Sequence, residues 1–185
     1  SYLPKETLSE LDTLLEEIQQ SFSSPELRIY RNTDLAGIEV AASMKNVMAI
    51  ASGIIHGSGY GYNTTASLIT RATVEISPLG RRLGGRKEAL WGLAGIGDLM
   101  LTCFGPLSRN FQLGVQVASG RGLKEIEDEM VMIAEGVETT RAAYSLAKSL
   151  DIEMPITEKV YEILFENKNP RMALQELMQR RLKPE

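Results

Sequence analysis

Ala41-Ala42-Ser43-Met44-Lys45-Asn46-Val47-Met48-Ala49-Ile50 is apolar on nearly every face of a helix, and a helix of that kind belongs in a core. It is predicted to run from about Asp34 to Ile55. Lys45 sits inside it, beside Ile38, Ala41, Ala42, Met48 and Ala49. Burying an ammonium there is expensive unless the group is paired, or kept partly neutral for a purpose. Lys45 is therefore a candidate general acid/base. The alternative is a lysine that reaches the helix rim or pairs with a carboxylate such as Glu39 or Asp98.

Outward from this helix, everything after Asp34 reads as helical. The glycine-rich turn Gly57-Ser58-Gly59-Tyr60-Gly61 ends it. Asn63 is predicted to cap a second long helix with Ile69, Ala72, Ile76, Leu79 and Leu83 in its apolar stripe, and Pro78 to kink it or end its regular part. Shorter helices are predicted over 97–103, 108–118 and 123–130. Val137 to Leu150 forms another. Pro155 opens the next, with Ile156, Val160, Ile163 and Leu164 inward, and Asn169-Pro170 is a cap and first-turn pair for the last.

The first thirty-three residues read differently. Thr7 and Glu10 form a capping box for a helix whose stripe is Leu8, Leu11, Leu14, Leu15 and Ile18. Leu27-Arg28-Ile29-Tyr30-Arg31 alternates as a strand, yet no other segment reads clearly as its partner. A helix followed by an orphan strand is the expected tail of an α/β domain. Residues 1–33 are thus predicted to be the C-terminal remnant of an α/β domain, and 34–185 a helical domain. The chain opens at Ser1 with no signal-peptide pattern, which points to a fragment or processed piece.

Composition narrows the function classes. The formal net charge is −4 and the 20 basic residues are scattered, so a nucleic-acid surface is not indicated. No run reads as a membrane span. One cysteine, Cys103, and one histidine, His56, fit a reducing cytoplasm and cannot build a structural zinc site.

Several residues can carry chemistry. Asp98 and Thr102 are four apart and share a helix face in the small-residue segment around Gly92, Gly95 and Gly97. Asp98 either holds Lys45 or caps the helix after Gly97. Ser108-Arg109-Asn110 heads a helix, where free amides, the dipole and an arginine fork suit an anion, or where an ordinary N-cap precedes a solvated arginine. Glu135 and Gly136 stand at another helix start. Gly57, Gly59 and Gly61 tempt a dinucleotide fingerprint, but a helix precedes them where a strand is required, so a helix-to-helix turn is the better reading. His56 reads as a helix-end residue and Cys103 as a small core residue.

Taken in order, Gly37-Ile38-Glu39, Ser43-Met44-Lys45-Asn46-Val47, Asn63-Thr64, Leu68-Ile69-Thr70-Arg71, Gly92 to Leu99, Leu101-Thr102-Cys103, Ser108-Arg109-Asn110, Ala134-Glu135-Gly136-Val137 and Glu153-Met154-Pro155-Ile156 form a set. That set resembles the C-terminal portion of bacterial NAD(P)-dependent glycerol-3-phosphate dehydrogenase over nearly the whole chain. The resemblance implies a mainly α, multi-helix substrate-binding and catalytic domain over 34–185 like that of 6-phosphogluconate dehydrogenase relatives. In residues 1–33 it is preceded by one helix and one strand, the C-terminal remnant of an α/β dinucleotide-binding domain. It implies Lys45 as the catalytic lysine, with Asp98, Thr102, Ser108, Arg109 and Asn110 on or near glycerol 3-phosphate or dihydroxyacetone phosphate. Arg109, Ile133 and Glu135 would meet NAD or NADP. A cytoplasmic homodimer is implied as well. The rival readings are the substrate domain of a related hydroxy-acid dehydrogenase, against which the serine-arginine-asparagine site argues, and a non-catalytic helical dimerisation or interaction domain.

Overall fold

The computed structural model describes residues 5–129 and 134–180, without the side chains of 5, 6, 8 and 87. The chain divides into two compact units, Ser1–Thr33 and Asp34–Glu185. In the first, α1 (Lys5–Phe22) leads into an extended segment. Thr7 lies inside α1, so the capping box predicted there is not formed. The strand predicted over 27–31 is likewise not formed, and no strand occurs among the described residues. With no second strand to bond, the segment is satisfied by α1 instead. Gln19 Nε2 donates to the Ile29 carbonyl at 2.7 Å, and Arg31 donates to the Asp12 carbonyl at 3.1 Å and to Glu16 at 3.0 Å.

The second unit is built around α2 (Leu35–Gly57). Asp34 caps it, accepting from the Gly37 N–H at 3.1 Å, and Met44, Val47, Met48, Ile50 and Ile54 are buried along it. By length and composition alone α2 passes for a membrane span, with a mean hydropathy of 1.4; the sequence reading that no run does so needs that correction. Here its apolar surface is taken up by α3 (Tyr62–Arg82), α5 (Asp98–Phe104), α6 (Arg109–Ala118) and α8 (Glu135–Leu150). Helix α6 comes so close that a Cβ on Gly53 would stand 2.0 Å from the Phe111 carbonyl oxygen, and one on Gly114 2.2 Å from that of Ile50. The two backbones touch, which only glycine permits.

Around this pair the remaining elements are α4 (Lys87–Leu90), a π-helical turn (Leu93–Gly97), α7 (Leu123–Glu129), α9 (Pro155–Phe165) and α10 (Pro170–Met178). Asn63 does not cap α3. The cap is Gly61, in extended backbone, whose carbonyl accepts from Thr64 N–H at 3.0 Å, and Asn63 falls within the first turn. Pro78 does not end α3, which continues to Arg82; the bond it forfeits belongs to the carbonyl of exposed Val74, within reach of solvent. Helix α8 starts at Glu135, two residues before the predicted Val137. Asn169 caps α10 as expected, accepting from Arg171 N–H at 2.9 Å.

Candidate active site

Helix α2 carries Lys45 to a place where only a quarter of its side chain is exposed, and Asp98 faces it from the first turn of α5, one-third exposed. Lys45 Nζ donates to Asp98 Oδ2 in an ion pair. Asp98 is not a helix cap: Gly97 before it is already helical and no cap hydrogen bond forms. The π-helical turn of Leu93–Gly97 runs straight into α5, whose first residue is Asp98. Such turns recur at functional sites, and nothing in the one-dimensional pattern announced this one. Gly95 permits it, since a Cβ there would meet the Leu90 carbonyl oxygen at 2.4 Å. Thr102, one turn on, donates to the Asp98 carbonyl at 2.6 Å, with Asp98 Oδ1 at 3.4 Å.

A second group forms where α6 and α8 begin. Ser108 caps α6, its oxygen accepting from Phe111 N–H at 3.3 Å. Arg109 is exposed and has no hydrogen bond or ion pair among the described residues. Asn110 is buried, with its Nδ2 donating to Asn46 Oδ1 at 3.0 Å and its Oδ1 accepting from Gly136 N–H at 2.9 Å. Glu135 is exposed as the first residue of α8. Ile133 lies outside the described residues. The structure thus joins Lys45, Asp98 and Thr102 by direct contact. Asn110 reaches this group through Asn46, the neighbour of Lys45, whereas Ser108, Arg109 and Glu135 make no hydrogen bond or ion pair with it.

Residues outside this region behave as core or rim. Cys103 is buried, and desolvation pushes its thiol up to about 12, so it is no nucleophile at neutral pH. Its carbonyl takes a 2.7 Å bond from Ser52 Oγ, which ties α5 to α2. His56 is exposed in the last turn of α2, its ring centroid 5.5 Å from that of Phe111. Gly57 closes α2 against α6 and Gly59 takes the left-handed conformation (φ 87°), the geometry of a helix-to-helix turn. A concavity of about 240 Å³ lined by Tyr144, Lys148, Glu153, Glu158 and Arg180 sits at the far end of α8, and its cations are spent on Glu158 and Glu153.

Sequence reasoning missed Glu75. It is 5% exposed on α3 and accepts from Ile156 N–H at 2.7 Å, Thr157 N–H at 2.9 Å and Thr157 Oγ1 at 2.7 Å, capping α9 from 81 residues away. Burial pushes its carboxyl above the ordinary range against the pull of these donors. Met154, the local cap position, makes no side-chain bond, and that lack is the one signal the sequence held.

Residues 34–175 match the family described as the C-terminus of NAD-dependent glycerol-3-phosphate dehydrogenase. The chain belongs to this family. It is 49% identical over 174 residues to the glycerol-3-phosphate dehydrogenase (NAD(P)+) of Citrifermentans bemidjiense, covering 94% of this chain and 52% of that protein. It is 51% identical over 168 residues to one of the enzymes of that name from Salinibacter ruber, covering 91% and 49%. The glycerol-3-phosphate dehydrogenase structure from Coxiella burnetii superposes with a TM-score of 0.84 at 38% identity, over 91% of this chain and 52% of that one. The chain therefore spans about half the length of the curated relatives it matches. The mainly helical fold expected from sequence is that of the family's C-terminal domain.

Proposed function

We propose that this chain is the helical substrate domain of an NAD(P)-dependent oxidoreductase that interconverts sn-glycerol 3-phosphate and dihydroxyacetone phosphate. The observation that carries it is the Lys45 to Asp98 pair beside the α6 N-terminus of Ser108, Arg109 and Asn110. When bound, a nicotinamide dinucleotide supplies the hydride acceptor or donor. Lys45 moves the proton at the reacting oxygen, taking it from the secondary hydroxyl in one direction and returning it to the forming alkoxide in the other. Asp98 holds the ammonium at the mouth of the site, and Thr102 steadies Asp98. Ser108, with its hydroxyl proton unspent, and Arg109, with its guanidinium unspent, grip the phosphate at a helix N-terminus.

The residues present fit one edge of a dinucleotide rather than its whole length. Arg109 and Glu135 are exposed at the starts of α6 and α8, and with Ile133 they are the groups that would meet it. The turn at Gly57, Gly59 and Gly61 does not fit the phosphates, because Gly57 is closed against α6. The main grip then belongs to a cofactor domain, of which residues 1–33 are the end; the family match beginning at residue 34 supports that division. A cytoplasmic homodimer completes the reading.

The test is turnover by the full-length dehydrogenase carrying this segment, followed by nicotinamide absorbance. Oxidation of glycerol 3-phosphate is expected, with none by residues 1–185 alone. Preference for a hydroxy acid without phosphate would overturn the substrate assignment.

A further inference from the structure

Three buried groups meet where α2, α6 and α8 converge. Asn46 and Asn110 are each 8% exposed. Asn110 spends both ends of its amide, Nδ2 on Asn46 Oδ1 and Oδ1 on the Gly136 N–H. Gly136 is the second residue of α8, so its N–H has no carbonyl to bond within the helix. The fit leaves no slack: a Cβ on Gly136 would lie 2.6 Å from Asn110 Oδ1, 2.8 Å from Ile50 Cδ1 and 2.9 Å from the Asn46 carbonyl oxygen.

Each member directly follows a residue of the candidate site in sequence. Lys45 precedes Asn46, Arg109 precedes Asn110 and Glu135 precedes Gly136. A displacement of any one buried member moves the functional side chain attached to the same backbone. We propose that Asn46 is a positioning residue which, through Asn110 and Gly136, holds the helix N-termini bearing Ser108, Arg109 and Glu135 in register with Lys45. The inference rests on the reading of those residues as substrate and cofactor contacts. An apolar residue at 46 would serve the core as well or better, and burying an amide there is unfavourable unless its hydrogen bond is made. What the amide adds is a directional contact, which fixes one arrangement of three helices where packing alone tolerates several.

Two measurements test it. In residues 1–185, hydrogen exchange at the Gly136 N–H reports on the Asn110 bond alone. Asn46→Ala removes the acceptor, leaves Asn110 free to turn, and should speed that exchange about tenfold or more, while the amides of Val47 to Ile50 keep their protection. Asn46→Asp retains an acceptor oxygen of the same shape and should leave the Gly136 exchange close to wild type. Unchanged exchange in Asn46→Ala, or equal acceleration in both variants, overturns the relay. In the full-length dehydrogenase, Asn46→Ala should raise KM for glycerol 3-phosphate about ten- to a hundredfold, with a smaller fall in kcat per folded molecule and a melting temperature lowered only by the loss of one buried hydrogen bond. A loss confined to kcat, as from a smaller folded fraction, would make Asn46 merely structural and leave the proposed function standing. Absence of glycerol 3-phosphate turnover in the unsubstituted enzyme would instead sink the function, and the exchange measurement would still decide the relay.

Discussion

Asp98 and Glu75 are both single carboxylates set among apolar neighbours, and the molecule spends them in opposite ways. Asp98 lies one-third exposed at the rim and meets one flexible cation, Lys45. Glu75 lies in the interior and meets two backbone amides and a hydroxyl that cannot move away. A carboxylate bonded to a side chain at a rim can give up its partner when a substrate arrives. One bonded to the start of a helix cannot do so without unseating that helix. The first arrangement suits chemistry and the second suits architecture, so substitutions in the two regions should separate activity from stability.

The largest effect is expected at the rim. In the full-length dehydrogenase Lys45→Ala should lower kcat by about 10² to 10⁴, the usual contribution of a positioned acid/base, with cofactor affinity kept. Steady-state kinetics with cofactor titration checks this; near wild-type turnover would remove Lys45 from the mechanism and reduce the pair with Asp98 to a surface contact.

In the interior the loss should appear as stability. Glu75→Ala strands three donors at the head of α9 and should cost about 2–4 kcal/mol, read by denaturant unfolding of this chain. The fraction that remains folded in the full-length enzyme should turn over at the normal rate. A selective loss of kcat there would erase the contrast between the two carboxylates.

Arg109→Lys sharpens the rim further. Arg109 has no hydrogen bond or ion pair among the described residues, so its substitution should spare the fold. The specificity constant for glycerol 3-phosphate should fall by about 1.5–3 kcal/mol, the size of a charge-assisted bond. Glycerol, lacking the phosphate, is the control, and equal losses for both substrates would deny Arg109 its phosphate.

The smallest effect is the pH dependence of the two buried caps, which should run in opposite directions. The Arg86 N–H holds Asp34 below its ordinary value of 3.8, so the stability it contributes is present above that pH and lost as pH falls through the lowered value. Burial holds Glu75 above its ordinary 4.5; its contribution is fully present below 4.5 and lost as pH rises through the raised value. Melting temperatures of wild type, Asp34→Asn and Glu75→Gln over an acid-to-neutral series check both. The advantage of wild type over Asp34→Asn should shrink toward acid, and that over Glu75→Gln should shrink toward neutral. Parallel curves would contradict the assigned directions.

Much of this molecule is local in origin and was legible for that reason. The buried helix, its end at the glycine turn, the Ser108 and Asn169 caps and the Asp98 to Thr102 spacing all follow from residues within a turn or two of one another. The strand over 27–31 misled because alternation records only a tendency to extend, and a strand exists only when another supplies its hydrogen bonds. Asn63 misled because a suitable cap residue two places along lost to Gly61, whose extended backbone opened the helix first.

From the sequence alone came the helical class, the buried helix around Lys45 and the residue types able to move a proton and hold a phosphate, since periodicity and side-chain chemistry are written residue by residue. The choice of Asp98 over Glu39 as the partner of Lys45 came from the tertiary structure, which packs the first turn of α5 against α2. So did the burial of Asn110 between Asn46 and Gly136, and the capping of α9 by Glu75 across 81 residues. These contacts join segments far apart in the chain, and their directions depend on how helices cross. A linear pattern records which groups need partners, and only packing decides which partners lie within reach.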